Sequence, residues 1–254
     1  MTAYTYLSEI IEKYAANDLS THYHHIKELH TILKKWAGGC YIDLKTSGSV
    51  AKGTAVSLSS DVDYLVSLTH DCNETLEGIF NSLHSCLDGH YTIRRQNVSF
   101  GIVLDGLKVD VAAAKKRAGN TNYHSIYVSK SGSWAQTNIQ QHINDVSSSG
   151  RLSEIKLLKV WRELNNLEFP SIYMEYLLIN GILKHKQKNN LASNFHHVLS
   201  ELAKNQGNPL FSRLLDPANS NNTLSDLITT NEKQRIIDAA KSSIGEQYWS
   251  SIVY

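Results

Sequence analysis

The chain has 254 residues, of which 41% are hydrophobic and 19% are charged, and its formal net charge is +1. This length suffices for one large hydrophobic core or for two smaller ones. The sequence has no run of about 18 apolar residues, so we expect no membrane-spanning helix and no membrane partner. The small net charge lacks the basic excess that is typical of proteins bound to long nucleic acids.

The N-terminal residues and the cysteines favour a cytoplasmic protein. The first stretch, MTAYTYLSEIIEKY, contains acidic residues and lacks the apolar core of a signal peptide. The three cysteines (Cys40, Cys72 and Cys86) show no metal-ligand spacing, and three cannot all pair. We therefore expect ordinary buried or half-buried thiols in a reducing compartment.

A helical region is predicted over residues 4–36, because apolar residues recur there at helical spacing, and it ends at Gly38-Gly39. Its second half contains four histidines: His22, His24, His25 and His30. Histidines bind zinc well, but no cysteine or carboxylate stands at a spacing that would complete a site. We expect a solvated helix face and predict no zinc site.

After residue 40 the pattern changes from helical to extended. Strands are predicted at YIDLKTS and VDYLVSL, a helix at NETLEGIFNSLHSCL, and further strands at YTIRR, VSFGIVL and LKVDVAAA. Asp105-Gly106 joins the last two strands and is a strong β-hairpin signal. This order predicts a mixed sheet with helices packed on it.

From about residue 135 onward the pattern is helical. The candidate helices are 137–147, 151–166, 171–186, 191–204 and 223–243, and DPANSNN at 216–222 is predicted to be a loop. The predicted fold class is therefore α+β. We expect a sheet-containing domain with N-terminal helices over residues 1–135 and a helical domain over residues 136–254.

Three aspartates stand where strands are predicted. Asp61 and Asp63 alternate with Val62, so they share one face of a strand about 6 to 7 Å apart. Asp110 lies between two valines, and a buried carboxylate needs a partner or a cation. Carboxylates from neighbouring strands suit hard cations such as Mg²⁺, and two such ions can activate a hydroxyl and hold a triphosphate. The alternative is a set of unrelated aspartates that cap strands.

A Gly-Ser turn precedes the aspartate pair by about a dozen residues. Gly48 allows the backbone to approach a phosphate closely, and Ser49 offers a hydroxyl and an amide. The stretch does not match the phosphate loop of the form GxxxxGK[ST]. It predicts a different phosphate-binding turn.

The stretch GSVAKGTAVSLSSDVDYLV resembles the signature of DNA polymerase β-type nucleotidyltransferases, in which a Gly-Ser precedes an acid–apolar–acid strand. Its KGT resembles the branch that holds the cGAS/DncV-like enzymes, the oligoadenylate synthases and the archaeal-type CCA-adding enzymes. SKSGSWAQTNIQQHIN is similar to the Trp-containing connector of bacterial cGAS/DncV-like enzymes, except that Ile139 stands where proline is expected. SGRLSEIKLLKVWRE and FPSIYMEYLL are similar to two of their helices, so the resemblance covers roughly residues 40–245.

The resemblance implies a polymerase β-type core followed by a helical domain that closes a nucleotide cleft. It implies two Mg²⁺ (or Mn²⁺) ions, both held by Asp61 and Asp63. Asp110 would hold the ion nearer the acceptor and help to deprotonate the acceptor hydroxyl. Gly48 and Ser49 would contact the triphosphate.

Lys156 and Lys159 are three residues apart, hence on one side of a predicted helix whose apolar residues make it largely buried. We expect the two lysines to face a cavity and contact a triphosphate. The alternative is that they pair with Glu154 and Glu163.

Four further residues have weaker signals. Ser99 could touch a nucleobase or ribose, and Tyr173 could stack on a base, although a buried aromatic is the commoner explanation. Glu175 lies in an apolar run and is predicted to be structural, with the backbone or Lys159 as its partner. Trp134 is predicted to lie in the core.

The acceptor of the predicted reaction is left open. A nucleotide acceptor would give a cyclic or linear oligonucleotide second messenger of the kind used in antiviral defence, which fits the small net charge and the connector. An RNA 3′ end is the alternative, as in CCA addition, and a short RNA or another activator is a possible partner. A third interpretation is an inactive module that binds a nucleotide or a protein. Cyclic-oligonucleotide synthases tend to be somewhat longer than this chain, which counts slightly against the first interpretation.

Overall fold

The computed structural model describes residues 2–59, 61–119 and 121–254. The chain divides into two compact units, each built from segments that are discontinuous in sequence. The sheet unit comprises Asn17–Lys52 and Ser60–Ile143, and the helical unit comprises Met1–Ala16, Gly53–Ser59 and Asn144–Tyr254. The sequence analysis predicts a single boundary near residue 135 instead.

Among the described residues of the sheet unit, seven strands form one mixed sheet. They are β1 (Tyr41–Ser47), β2 (Val62–Leu68), β3 (Arg94–Arg95), β4 (Phe100–Leu104), β5 (Leu107–Lys116), β6 (His124–Val128) and β7 (Ser133–Thr137). The strand order is β1-β2-β5-β4-β3, with β6 between β5 and β7. β2 and β5 are parallel and the other pairs are antiparallel, which confirms the predicted α+β class with a mixed sheet.

The helices of the sheet unit are α2 (Tyr23–Ala37), α3 (Gly48–Lys52), α4 (Leu76–Asp88) and most of α5 (Ile139–Ser147). α2 and α4 cover one face of the sheet, where Leu33 and Leu83 pack with alternate strand residues such as Val66 and Phe100. α2 ends at Ala37, and Gly38 follows with a φ of +53°. The predicted stop at Gly38-Gly39 is therefore confirmed.

The predicted hairpin between β4 and β5 is confirmed. Its two-residue turn consists of Asp105 and Gly106, with φ values of +46° and +81°. Positive φ at both positions is typical of a type I′ turn, which matches the right-handed twist of the flanking strands. The register continues from this turn to place Gly101 opposite Asp110.

In the helical unit, the described helices are α1 (Ala3–Lys13), α6 (Leu152–Leu164), α7 (Ser171–Tyr176), α8 (Leu191–Leu202) and α9 (Thr230–Ile244), together with the end of α5. A π-helical segment, Leu177–Ile182, continues α7. The core contains Trp161 and Phe195, both fully buried. These helices confirm four of the predicted ones, but the predicted helix at 223–243 begins only at Thr230.

Two sequence predictions about local structure are wrong, and two strands were missed. The stretch DPANSNN is not a simple loop, because β8 (Leu215–Asp216) pairs there with β9 (Asn219–Thr223). β6 and β7 were not predicted, since their polar residues hide the alternation that marks a strand. Trp134 lies in β7 with 57% of its surface exposed, so it is not part of the core.

The prediction of three free thiols is also wrong. Cys40 and Cys72 form a disulfide, and Cys86 is the free cysteine. Cys40 precedes β1 and Cys72 follows β2, and the antiparallel pairing of these strands brings the two Cα atoms to 5.4 Å. The disulfide removes the argument for a reducing compartment that rested on unpaired cysteines. Within the described residues, no helix has the length and apolar character needed to cross a bilayer.

Candidate active site

The three predicted aspartates lie at one region of the sheet. Asp63 in β2 and Asp110 in β5 are direct partners in the parallel register, so their side chains are neighbours on adjacent strands. Asp61 stands just before β2. The guanidinium of Arg94 lies 3.7 Å from a carboxylate oxygen of Asp61 and 3.7 Å from one of Asp110. The structure thus places Asp63 and Asp110 on adjacent strands, with Asp61 just before one of them and Arg94 beside Asp61 and Asp110.

Side-chain alternation explains why these acids share a face. Val109 and Val111 belong to the core beneath α2 and α4, so Asp110 between them points to the opposite face. The residues on either side of Asp63 also belong to that core, which directs Asp63 to the same face as Asp110. Val109 and Val111, the apolar neighbours that distinguish Asp110 in the sequence, therefore pack in the core and hold this part of β5 in place.

Gly48 lies directly against Asp63. Its φ is +60°, and a Cβ atom at this position would overlap the carboxylate of Asp63. Only glycine therefore fits here without moving the aspartate. Ser47 donates a hydrogen bond from Oγ to the backbone carbonyl of Asp63 (3.3 Å), and Ser49 follows, half-buried, in the short helix α3. The Gly-Ser turn therefore packs directly against Asp63.

Gln96 is a site residue that the sequence analysis missed. Its Nε2 donates a hydrogen bond to Oδ1 of Asp110 (2.7 Å), and its Oε1 accepts one from Oγ of Ser99 (3.1 Å). The backbone amide of Gln96 donates to the carbonyl of Ser99 (3.0 Å), which closes the turn between β3 and β4. Gln96 therefore fixes the orientation of the Asp110 carboxylate.

Arg94 is the second missed residue. Its side chain is 68% exposed, and it lines a cavity of about 440 Å³ together with Lys108 and Asp110. Gly101 leaves room for it, because a Cβ there would lie 3.1 Å from Nε of Arg94. The sequence RRQ shows only a polar run. It does not indicate that Arg94 lies near Asp110, because that contact depends on the register between β3, β4 and β5.

The surroundings of Asp110 change its protonation. Burial raises the pKa of Asp110 above its ordinary value, and the negative charge of Asp61 adds to this effect. The hydrogen bond from Gln96 and the positive charge of Arg94 oppose it. Asp110 thus has a greater tendency to hold a proton than an exposed aspartate.

A cavity of about 230 Å³ lies beside Asp63 and Asp110. Ser99 and Thr137 contribute to its wall, along with the apolar side chain of Ile126. The predicted position of Ser99 facing the aspartates is consistent with this cavity. A small polar group of a ligand could therefore contact Ser99 next to the carboxylates.

The donor set fits Mg²⁺ or Mn²⁺. Three carboxylates supply oxygen ligands, which hard divalent cations prefer, and the described residues that line the cavity beside them include no histidine or cysteine. Burial of the Asp110 carboxylate next to Asp63 also favours a bound cation, because two neighbouring negative charges repel each other. Asp61, Asp63 and Asp110 are the residues that could hold such ions.

Lys159 belongs to a buried polar cluster in the helical unit. Its Nζ lies 2.9 Å from Oε1 of Glu175 and 2.9 Å from Oγ1 of Thr54, and Thr54 also donates to Glu175 (2.9 Å). Lys159 and Glu175 are both almost fully buried. The predicted structural role of Glu175, with Lys159 as its partner, is confirmed. This ion pair neutralises Lys159, so the cluster does not support a contact between Lys159 and a triphosphate.

The other two candidates of the helical unit have different surroundings. Tyr173 is fully buried, and its hydroxyl donates a hydrogen bond to the carbonyl of Leu210 (2.9 Å). These surroundings agree with the interpretation of Tyr173 as a buried core aromatic. Lys156 is half-buried on α6, and within the described part of the chain its side chain forms no hydrogen bond or ion pair. The alternative of pairs with Glu154 and Glu163 is not observed, because those carboxylates pair with Arg151 and Arg162.

No protein-family model matches the sequence, and no curated protein matches it. Solved structures do resemble the fold. Escherichia coli MS115-1 CdnC with ATP has a TM-score of 0.72 at 20% identity, over 94% of this chain and 89% of that chain. The same protein in a complex with HORMA-deltaN has a TM-score of 0.69 at 20% identity, over 94% and 88% of the two chains.

A cyclic dinucleotide synthase has a similar structure. Elizabethkingia meningoseptica CdnE, solved with GTP and Apcpp, has a TM-score of 0.69 at 14% identity, over 97% of this chain and 98% of that chain. The match extends over nearly all of both chains, so this synthase is not appreciably longer than the present chain. Together with the parallel β2–β5 pair that carries Asp63 and Asp110, these matches identify the architecture. The chain has the cGAS/DncV-like nucleotidyltransferase fold.

Proposed function

We propose that this protein is a metal-dependent nucleotidyltransferase that joins nucleoside triphosphates into a cyclic or linear oligonucleotide and releases pyrophosphate. The observation that carries the proposal is the direct pairing of Asp63 with Asp110 on parallel strands, with Gly48 packed against Asp63. A Cβ on Gly48, which lies thirteen residues before Asp61, would overlap the Asp63 carboxylate, so the Gly-Ser turn and this aspartate must be accommodated together.

Two Mg²⁺ or Mn²⁺ ions are part of the proposal. Asp61 and Asp63 would hold both ions, and Asp110 would hold the one nearer the acceptor. When bound, such ions reduce the negative charge of the triphosphate and make a hydroxyl easier to deprotonate. Gln96 keeps the Asp110 carboxylate in the orientation that this role requires.

The proposed reaction forms one bond and breaks one bond at phosphorus. A ribose hydroxyl oxygen of the acceptor bonds to the α-phosphorus of a nucleoside triphosphate. The bond from this phosphorus to the bridging oxygen breaks, and pyrophosphate leaves. The hydroxyl proton passes to Asp110 and from there to solvent. Positioning and charge neutralisation supply most of the rate enhancement.

Contacts to the substrate follow from the residues around the carboxylates. Gly48 and Ser49 would contact the triphosphate, and Ser99 would contact a ribose or base in the cavity that it shares with Asp63 and Asp110. Lys156, which has a free ammonium within the described residues, is the preferred cation for the triphosphate. Lys159 and Tyr173 are the weaker proposals, because both are buried and hydrogen-bonded inside the helical unit.

A nucleotide acceptor is favoured over an RNA 3′ end. CdnE, whose fold this chain shares, is described as a cyclic dinucleotide synthase, and the formal net charge of +1 offers no extensive attraction for an RNA backbone. The proposal includes a protein activator as a partner, since CdnC forms a complex with HORMA-deltaN. RNA-terminal transfer and an inactive nucleotide-binding module are the alternatives. A cytoplasmic location belongs to the proposal, because the substrates are nucleoside triphosphates.

The activity of Lys156→Ala tests the triphosphate contact. We expect the KM for nucleoside triphosphate to rise by about tenfold or more, because a charge-assisted hydrogen bond is lost, while kcat changes less. Steady-state pyrophosphate release measures both constants. Lys241→Ala, which removes an exposed lysine on α9, is the matched control for the lost charge. An unchanged KM in Lys156→Ala would assign Lys156 a structural role.

Product analysis tests the choice of acceptor. Purified protein is incubated with Mg²⁺ or Mn²⁺ and four labelled nucleoside triphosphates, with and without tRNA, beside Asp61→Asn as the control. A small labelled product that forms without RNA, and that resists phosphatase if it is cyclic, supports the proposed function. Label that appears only on RNA supports terminal transfer instead. Nucleotide binding without any product in all mixtures would support the inactive module.

A further inference from the structure

A second group of potential metal ligands lies in the sheet unit, apart from the three aspartates. His22 stands at the start of α2, His25 follows within its first turn, and Asp105 occupies the turn between β4 and β5. Each offers one ligand atom, and these atoms lie within 4.8 Å of one another. Asp105 is 80 or more residues from both histidines in sequence, so local spacing in the sequence does not reveal it.

Each of the two histidines has a buried ring nitrogen that lacks a hydrogen-bond partner among the described residues, and this points to a ligand. Nδ1 of His22 and Nδ1 of His25 are shielded from solvent, and neither has a hydrogen-bond partner among the residues that the structure describes. A buried polar atom without a partner costs free energy, so such atoms are uncommon unless a ligand satisfies them. Two of them occur here, beside a carboxylate. The expected solvated helix face is therefore wrong for His22 and His25, which are half-buried, although His24 and His30 are exposed.

Local structure holds the three residues in place. His22 is the residue before α2 and His25 lies in its first turn, and their ligand atoms lie within 4.8 Å of each other. Asp105 has a φ of +46° in a type I′ turn, which fixes its direction relative to the hairpin. His22 occupies the N-cap position of α2 without making a capping hydrogen bond, so the helix does not use its side chain.

We propose that His22, His25 and Asp105 bind one Zn²⁺ ion. Neutral imidazole nitrogens and a carboxylate are typical zinc ligands, and three protein ligands leave a fourth tetrahedral position for water. Ligand atoms around zinc are roughly 3.3 Å apart, given bonds of about 2.0 to 2.1 Å, so the side chains need to converge by at most about 1.5 Å. The exposed Asp105 is able to make most of this movement.

The two cation sites have different chemistry. Imidazole nitrogen selects zinc and related transition metals, whereas a site made only of carboxylates suits Mg²⁺. A zinc ion here would link the start of α2 to the turn that leads into β5, the strand of Asp110. This link would stabilise the folded sheet unit, because the unfolded chain does not hold the three ligands together.

Zinc titration tests the proposal. Metal-free protein is titrated with Zn²⁺ by calorimetry in excess Mg²⁺, which occupies carboxylate-only sites and competes poorly for imidazole. We expect one equivalent to bind, with at least about tenfold weaker affinity in His22→Gln, His25→Gln and Asp105→Asn, because each removes a ligand. His24→Gln is the matched control, since His24 is exposed on the same helix and pairs with Glu28 (3.1 Å).

Thermal unfolding provides a second measurement that does not depend on activity. Zn²⁺ should raise the Tm of the wild-type protein and of His24→Gln, but not that of the His22→Gln/His25→Gln double variant. All variants should have similar Tm values without metal, which excludes misfolding as the cause. The proposal is overturned if the wild-type protein binds no Zn²⁺ in excess Mg²⁺, or if the double variant binds it equally well. Equal affinity in Asp105→Asn would overturn the three-residue site.

Discussion

At the scale of single residues, the contact between Gly48 and Asp63 links the backbone of the Gly-Ser turn to the proposed chemistry. Gly48→Ala introduces a Cβ where the Asp63 carboxylate now lies. Because displacement of a catalytic group by about 1 Å can reduce a rate roughly 100-fold, we expect a loss of about that size in kcat. Pyrophosphate release measures the loss.

The control for this substitution distinguishes the effect of the overlap between the new Cβ and Asp63 from the effect of backbone strain at a positive φ. Gly132 has a φ of +59°, almost the same as that of Gly48 (+60°), but a Cβ at Gly132 would meet no atom within 4 Å. Gly132→Ala should therefore destabilise the protein by about 1 kcal/mol or slightly more, as an L-residue in this region does, and keep its activity. A similar loss of activity in both variants would contradict the role of the Gly48–Asp63 contact.

The residues that the sequence could predict are those with local signals. Gly48, Asp61 and Asp63 lie within one short stretch, and Asp110 stands out because valines flank it. Gln96 could not be predicted in the same way, because its partner lies on another strand and the contact depends on sheet register. The pairing of Cys40 with Cys72 depends on register for the same reason, whereas the approach of Asp105 to His22 depends on how α2 packs against the sheet.

At the scale of elements, a buried ion pair joins α6 to α7 in the helical unit. Lys159 and Glu175 are both buried, and Thr54 bonds to each of them. Lys159→Met leaves the Glu175 carboxylate buried without its counter-charge, so we expect the free energy of unfolding to fall by about 3 to 5 kcal/mol. Urea denaturation followed by circular dichroism measures this change.

Lys156→Met is the comparison variant on the same helix. Its side chain is half-buried and forms no ion pair within the described residues, so its effect on the free energy of unfolding should be within about 0.5 kcal/mol. Equal effects of the two substitutions would contradict the assignment of Lys159 to a buried structural pair.

Strand β6 carries a histidine that should make stability depend on pH. His124 is 1% exposed, and its Nδ1–H donates to the carbonyl of Asn122 (3.0 Å). Nε2 of the neutral ring therefore accepts from Oγ of Ser67 (2.7 Å). Burial lowers the pKa of His124 below its ordinary value of 6.5, and the nearby positive charges of Lys45 and Lys116 add to this.

The sign of the pH effect follows from this lowered pKa. Below about pH 6.5 the unfolded chain takes up a proton on His124 that the folded chain does not, so acid favours unfolding. We expect a loss of stability between pH 7.5 and 5.5 of up to about 1.4 kcal/mol per pH unit from this residue. His124→Gln should lose less over the same range in urea denaturation. Parallel pH profiles of the two proteins would refute this assignment.

At the scale of the whole molecule, each of the two units has a large hydrophobic core of its own among the described residues. The core of the sheet unit anchors the strands that carry the aspartates, and the core of the helical unit surrounds Trp161. The sequence predicted the class of both units but not their boundaries. Segment 53–59 belongs to the helical unit although it lies between β1 and β2, because Val56 packs in that core and Thr54 bonds to Glu175. The composition of the sequence does not reveal that the chain passes from the sheet unit to the helical unit and back at this segment.

Pyrophosphate release by the wild-type protein and by Asp63→Asn tests the central claim most directly. Both proteins are supplied with Mg²⁺ or Mn²⁺ and all four nucleoside triphosphates, and thermal unfolding verifies that both are folded. The substitution keeps the size of the side chain and removes its charge next to Asp110. The account predicts that the wild-type protein releases pyrophosphate and that Asp63→Asn is slower by at least about 100-fold. Equal rates in the two folded proteins would contradict it.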